Sequence, residues 1–407
     1  MKHSHWAMAL ASAYFAVHAS LASAGEYTVT QISVPNATQV FAGAINDQGV
    51  VVGSFMTANS TYQTPFVYRG GQVSDLTAGL PQVDAYRNFR PVGLSDNGLV
   101  LMIQDGNSSG EGMLLDLNSG ARTMFFNGFV RSISHSGVVA ADFNDQRSPI
   151  LTSTFNIGDT AGTYRRGPSL TASANSAGFL YQGGQLNQIP SMSPRPDSSG
   201  VLAVNDRGQA VGTAMTKIDQ FSYWVDSYVF DGNSAFSLNP RNEDLSSWRR
   251  FVDVAGIQNS GVVYGTARSI MSDSSMPFEY RNGEFKALGL PAGAISTSIV
   301  AGNDRGQYVG WSFDGTKLSY DLYDQGTWHD LPLPEVSGNI TSIFGINNQG
   351  QILAQVDEVP GLSGPSGLMV LTPLVAQIPE PGTAILWGLG IVGMVCRRRL
   401  QKQGLTQ

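Results

Sequence analysis

One short unit recurs seven times along the chain: an apolar residue, a four-residue turn ending in glycine, and a valine-rich strand. The copies read INDQGVVVG, LSDNGLVLM, ISHSGVVAA, VNDRGQAVG, IQNSGVVYG, GNDRGQYVG and INNQGQILA. Their turn glycines are Gly49, Gly98, Gly137, Gly208, Gly261, Gly306 and Gly350, separated by 49, 39, 71, 53, 45 and 44 residues. All but the 71-residue step suit a four-stranded repeat of roughly 40–50 residues.

Turn chemistry accounts for the spacing. Asn46, Asn205, Asn303 and Asn347 open their turns, where the side-chain oxygen can accept from the backbone N–H two residues on. Ser95 and Ser134 can do so more weakly, and Gln258 departs from the pattern. A glycine in fourth place suits a type I turn closed by a left-handed residue and a bulge. Four residues further on stands Gly53, Ala141, Gly212, Gly265, Gly310 or Ala354, with Met102 the one large side chain. Small residues there predict close approach of a neighbouring strand or blade.

A second hairpin follows each first one, as in PFVYRGGQVSDL at 65–76, FLYQGGQLNQI at 179–189 and YVFDGNSAFSL at 228–238. PFEYRNGEFKAL at 277–288 and DLYDQGTWHDL at 321–331 continue the series, and a less regular copy occupies 113–124. Apolar and polar residues alternate on the first arm, as a half-buried strand requires. Two hairpins per unit make four strands, one propeller blade. The seventh unit holds only three strands, and YTVTQISVP at 27–35 can supply the fourth, removing an open seam. The expected fold is therefore an all-β propeller of seven four-stranded blades closed by an N-terminal strand. Residues 144–177 read as a polar insertion between strands of the third blade. Six or eight blades, a β-solenoid or a pair of sandwiches are the alternatives that the pattern leaves open. Over 45–375 the units resemble HAF-type extracellular repeats, whose hallmark is an Asn-x-x-Gly turn followed by a Val-Gly strand.

The ends carry addresses. Lys2, the apolar run Trp6 to Ala19 and the small residues Ala22 and Ala24 form a secretory signal peptide over 1–24, with cleavage before Gly25. The propeller domain then spans 25–377. At the other end Pro379-Glu380-Pro381 precedes an apolar stretch, 383–396, and the cluster Arg397-Arg398-Arg399. Fourteen residues rise about 21 Å as a helix, short of the ~30 Å hydrocarbon core. The arginines would hold its end on the cytoplasmic side, which makes the inner-membrane anchoring transient if the tail is cut.

Residues 378–407 resemble the PEP-CTERM sorting signal of Gram-negative bacteria. That resemblance implies processing near the Pro-Glu-Pro by an exosortase, after passage through the secretion machinery and signal peptidase. It also implies, by association, a cell-surface or extracellular place in an exopolysaccharide or biofilm matrix. Glu380 belongs to the recognised sequence; the resemblance places the nucleophile on the processing enzyme.

The body between the addresses is acidic, with 19 Lys and Arg against 30 Asp and Glu. Such a surface is poorly suited to nucleic acid or anionic membrane. The one cysteine, Cys396, lies in the C-terminal apolar run, so the body can form neither a disulfide nor a thiolate metal site. Its histidines are His135 and His329, and no H-E-x-x-H, G-x-S-x-G, Walker or G-x-G-x-x-G motif occurs. Asp47, Asp96, Asp206 and Asp304 recur at the second turn position, with His135, Asn259 and Asn348 in the other copies. Such a ring could bind Ca²⁺ or serve glycoside hydrolysis. The expectation is instead that these are hydrophilic turn residues, set a blade apart and too distant to act as a pair. Tyr223, Trp224, Trp248, Trp311 and Trp328 are candidates to stack on sugar rings or to fill gaps between blades. The reading reached is a non-enzymatic exported protein, without a required cofactor, that binds or scaffolds, with a glycan as candidate partner. The alternative is a secreted carbohydrate-active propeller enzyme using acidic residues.

Overall fold

The computed structural model describes residues 27–78, 89–104, 112–126, 128–144, 150–153, 164–166, 176–190, 198–217, 223–238, 251–268, 274–331, 339–357 and 367–374. The chain divides into two units, residues 29–372 and the two termini, 1–28 with 373–407. Of the terminal unit only Tyr27, Thr28, Pro373 and Leu374 are described.

Seven antiparallel sheets form the seven blades of a propeller. Blade 1 begins with the strand Ala37–Ile45 and blade 2 with Phe89–Leu94. Blades 3 to 7 begin with Gly128–Ile133, Ser198–Val204, Phe251–Ile257, Ser296–Gly302 and Asn339–Ile346. These first strands pack against one another around the ring, and each is the end strand of its sheet, so its free edge faces the axis. Tyr27–Ile32 completes blade 7 by pairing outside Gly367–Pro373, which closes the circle with the first strand of the chain. Between the second and third strands of blade 3, Ile150–Ser153 and Tyr164–Arg166 leave that blade. They extend blade 2 outward from Arg122–Phe126 to six strands.

The blades share an internal device that the register exposes. Every first strand carries a β-bulge, between Ala42 and Ala44, Pro91 and Gly93, Val130 and Ser132, Val201 and Ala203, Val254 and Gly256, Ile299 and Ala301, and Ile343 and Gly345. Opposite each bulge stands the residue four places beyond the turn glycine: Gly53, Met102, Ala141, Gly212, Gly265, Gly310 or Ala354. A bulge pushes its carbonyl across the ladder. A Cβ on Gly212 would overlap the Gly200 carbonyl oxygen and crowd the Tyr228 ring. The small residue thus makes room for its own blade's bulged strand and for a ring from the third strand.

The third strand fills the space so created. Phe66, Met113, Phe179, Tyr228, Phe278 and Met369 lie directly across from that small position, and all are buried. All but Met369 belong to the apolar clusters that bind blade to blade. Blade 6 breaks the rule with Asp321, only 1% exposed. Replacing Gly212 by Ala should cost about 1–3 kcal/mol through overpacking. Urea denaturation will show it as a lower midpoint at unchanged slope.

Candidate functional site

All seven turn glycines adopt left-handed backbone, with φ between 72° and 95°, and in each turn the glycine N–H donates to the first residue's carbonyl, as Gly49 does to Asn46 at 3.0 Å. The first turn residue then works in two directions. Asn303 Oδ1 accepts from the N–H groups of Arg305 and Gln307 at 3.0 and 3.1 Å, while its Nδ2 donates to the carbonyl of Asn347 in the next blade at 2.9 Å. Asn347 does the same toward Asn46, Asn46 toward Ser95, and Asn205 toward Gln258. Gln258, one methylene longer, reaches Asn303 O at 2.8 Å. Serine has no amide to offer. In blade 2 Ser95 Oγ accepts from Leu99 N–H, and Asn97 makes the link instead, to Ser136 O at 3.1 Å.

The second turn residues form an inner circle. Backbone N–H groups donate to the next blade's side chain: Asp47 to Asp96, Asp206 to Asn259, Asn259 to Asp304, Asp304 to Asn348 and Asn348 to Asp47. Side chains reinforce four of these links. Asn259 Nδ2 bridges Asp206 and Asp304 at 2.7 and 2.9 Å, and Asn348 Nδ2 bridges Asp47 and Asp304 at 2.9 and 3.3 Å. The expectation that these positions lie too far apart to act as a pair is therefore corrected. Turns that are a blade apart in sequence converge at the axis of the ring.

Asp47, Asp96 and His135 each offer a ligand atom within 4.8 Å of the others. His135 Nδ1 lies 3.1 Å from Asp96 Oδ2 and 3.8 Å from Asp47 Oδ2. Two carboxylates and an imidazole would suit a transition-metal ion better than Ca²⁺, which prefers oxygen alone. Asp206 is held differently. Burial pushes its carboxyl up, but the Ser136 N–H, the Ser134 and Ser136 hydroxyls and Asn259 outweigh that and hold it below the ordinary carboxylate range.

The first strands also carry exposed apolar side chains. The bulge residues Leu202, Val300 and Phe344 are 37–40% exposed, and Phe129 is 44% exposed. Arg131, the bulge residue of blade 3, stands 5.3 Å over the Phe129 ring and donates from Nε to Asp142 at 2.8 Å. Asp142 also accepts from Val201 N–H in blade 4 at 2.6 Å. The sequence does not mark these residues, because a bulge leaves only the small residue opposite as its trace.

Of the aromatic candidates, Trp328 donates from Nε1 to the carbonyls of Leu288 and Gly289 and packs edge-on to Tyr323, bracing blade 6 against blade 5. Trp311 is half-buried. The side chains of Tyr223 and Trp224, and the whole of Trp248, lie outside the described residues. So do Ala22, Ala24, Gly25, the Pro379-Glu380-Pro381 motif, the stretch 383–396 and Arg397 to Arg399. Among the described residues no helix is long and apolar enough to cross a membrane.

Residues 377–399 match the PEP-CTERM protein-sorting motif. The chain thus carries a C-terminal sorting signal, of the kind processed by exosortases, that directs an exported protein to the cell envelope or surface. No curated protein matches the chain. Among solved structures, the β-propeller domain of the Trilobed protease from Pyrococcus furiosus is similar at 9% identity and TM-score 0.49, over 82% of this chain and 95% of that one. A luciferin-regenerating enzyme is similar at 10% identity and TM-score 0.36, over 86% and 96% of the two chains. An ulvan lyase of a polysaccharide-lyase family is similar at 9% identity and TM-score 0.37, over 84% and 96%.

The depressed Asp206 carboxyl makes an acid-side prediction. A carboxylate whose folded pKa lies below its unfolded value stabilises the fold above that unfolded value, here 3.8, and the contribution is lost as pH falls through the folded one. Asp206→Asn should therefore lose stability less steeply than the parent below about pH 4, as read by denaturant midpoints across an acid series.

Proposed function

We propose that the mature propeller is a non-catalytic binding or scaffolding component of the cell surface or extracellular matrix, and that its partner is an exopolysaccharide. The observation that carries this reading is the division of labour at the axis. Most polar groups of the turn circle are engaged in holding neighbouring blades, while Phe129, Leu202, Val300 and Phe344 on the first strands stay exposed. Aromatic rings stack on the apolar faces of sugars, and Arg131 beside Phe129 adds a cation for acidic sugars.

Two measurements check the reading. Intact mass of the protein released from native cells should show ends at Gly25 and near Pro379; surface material that retains Arg397 to Arg399 would sink the sorting part. Pull-down of the purified propeller on the producing strain's own polysaccharide should fall when Phe129 and Phe344 are both replaced by Ala, with the melting temperature unchanged.

The convergence of Asp47, Asp96 and His135 favours one second reading, a carbohydrate-active enzyme that works at the axis. It predicts new reducing ends or unsaturated products from the same polysaccharide, abolished by Asp96→Asn.

A further inference from the structure

Blade 6 holds an anomaly that the circle of turns does not use. At the position where six blades bury Phe, Tyr or Met, it buries Asp321 between Gly310 on one neighbouring strand and Asp330 on the other. Both Asp321 oxygens are without a hydrogen-bond partner, and so is the Oγ1 of Thr297, which is 0% exposed. Five buried side-chain nitrogens and oxygens have no partner among the described residues, and these three account for most of them. They share one sheet face. Thr297 pairs with Ser312, which stands two residues along from Gly310, so Thr297, Ser312, Asp321 and Asp330 all project to the same side.

The apposed side of blade 5 is polar as well, though its groups are occupied. Thr266 Oγ1 accepts from Ile299 N–H, Ser275 Oγ donates to Thr297 O, and Glu279 accepts from Tyr308. A buried carboxylate without a partner is among the costliest arrangements in a folded protein, and Asp330 opposite adds a like charge. Burial pushes the Asp321 carboxyl up and Asp330 adds to it, while the Ser312 hydroxyl, near but outside hydrogen-bond geometry, lowers it less than burial raises it. A small cation would relieve all of these at once. The available donors are oxygens only, two carboxylates and two hydroxyls, which selects a hard ion over Zn²⁺ or Cu²⁺.

We infer that the buried Asp321, Thr297 and Ser312, with the exposed Asp330, form a Ca²⁺ site between blades 5 and 6, where the ion replaces the apolar wedge of the other blades.

The test uses the mature protein stripped with EDTA and titrated with CaCl₂ by calorimetry and thermal melting. The parent should bind Ca²⁺ and melt higher in its presence. Asp321→Phe, which restores the residue type of blades 1, 3 and 5, should fold, lose one bound Ca²⁺ and melt independently of Ca²⁺. Thr297→Val should weaken binding at this site while the protein stays folded. Asp96→Asn, which alters only the axial trio, should keep the Ca²⁺-dependent melting. A parent that binds no Ca²⁺, or an Asp321→Phe variant that keeps the full stoichiometry, overturns the inference. So does loss of the Ca²⁺ effect in Asp96→Asn alone, which would move the ion to the axis.

Discussion

The bond on which this ring depends runs from one turn amide to the next blade's turn carbonyl. Propeller blades meet mainly through side-chain packing, which resists separation but sets angle and height loosely. A directional bond at the axis fixes both, because an amide donor must lie within about 3 Å of its acceptor and nearly in line. Asn46, Asn205, Asn303 and Asn347 combine this outward bond with inward capping of their own turns. One residue therefore defines the local turn and the relation between blades. Gln258 and Asn97 show how tolerant the scheme is: a longer amide, or an amide two residues later, restores the link where the pattern lapses.

Further from the axis, the bulge, the small residue opposite it and the wedge across from that residue act as a single unit. The bulge displaces the strand, the missing Cβ opposite accepts a carbonyl of that strand, and the ring beyond fills what is left. The residue at the bulge itself differs from blade to blade, as Gly43, Val92, Arg131, Leu202, Ala255, Val300 and Phe344 show. Positions that hold the blade vary little.

Blade number and ring closure were legible in the sequence because each rests on local chemistry. Turn glycines mark first hairpins, and a three-stranded last unit calls for a strand from elsewhere, which Tyr27–Ile32 supplies. Convergence of Asp47, Asp96 and His135 was not legible, since it follows from the closed ring and spans three repeats. Nor was the destination of Ile150–Ser153, whose partner in blade 2 lies outside its own repeat. Asp321 was visible in principle: aligning PFVY, GFLY, SYVF and PFEY with YDLY places a charge in a column of rings. Reading the alternation without comparing columns hid it. The PEP-CTERM signal stood out because its parts are contiguous and ordered, whereas a ligand site on a ring is scattered over every blade.

Closure by the first strand has a consequence in time. A chain threaded across a membrane from its N-terminus delivers Tyr27–Ile32 before any other strand, and its partner Gly367–Pro373 last of all. Blades 1 to 6 can each zip from hairpins as they emerge, but the circle must wait for nearly the whole chain. Four residues past Pro373 the match to the sorting motif begins. Completion of the fold and arrival of the processing signal are therefore almost the same event along the polypeptide, so a processing enzyme at the membrane meets a protein whose last seam has only just become able to seal.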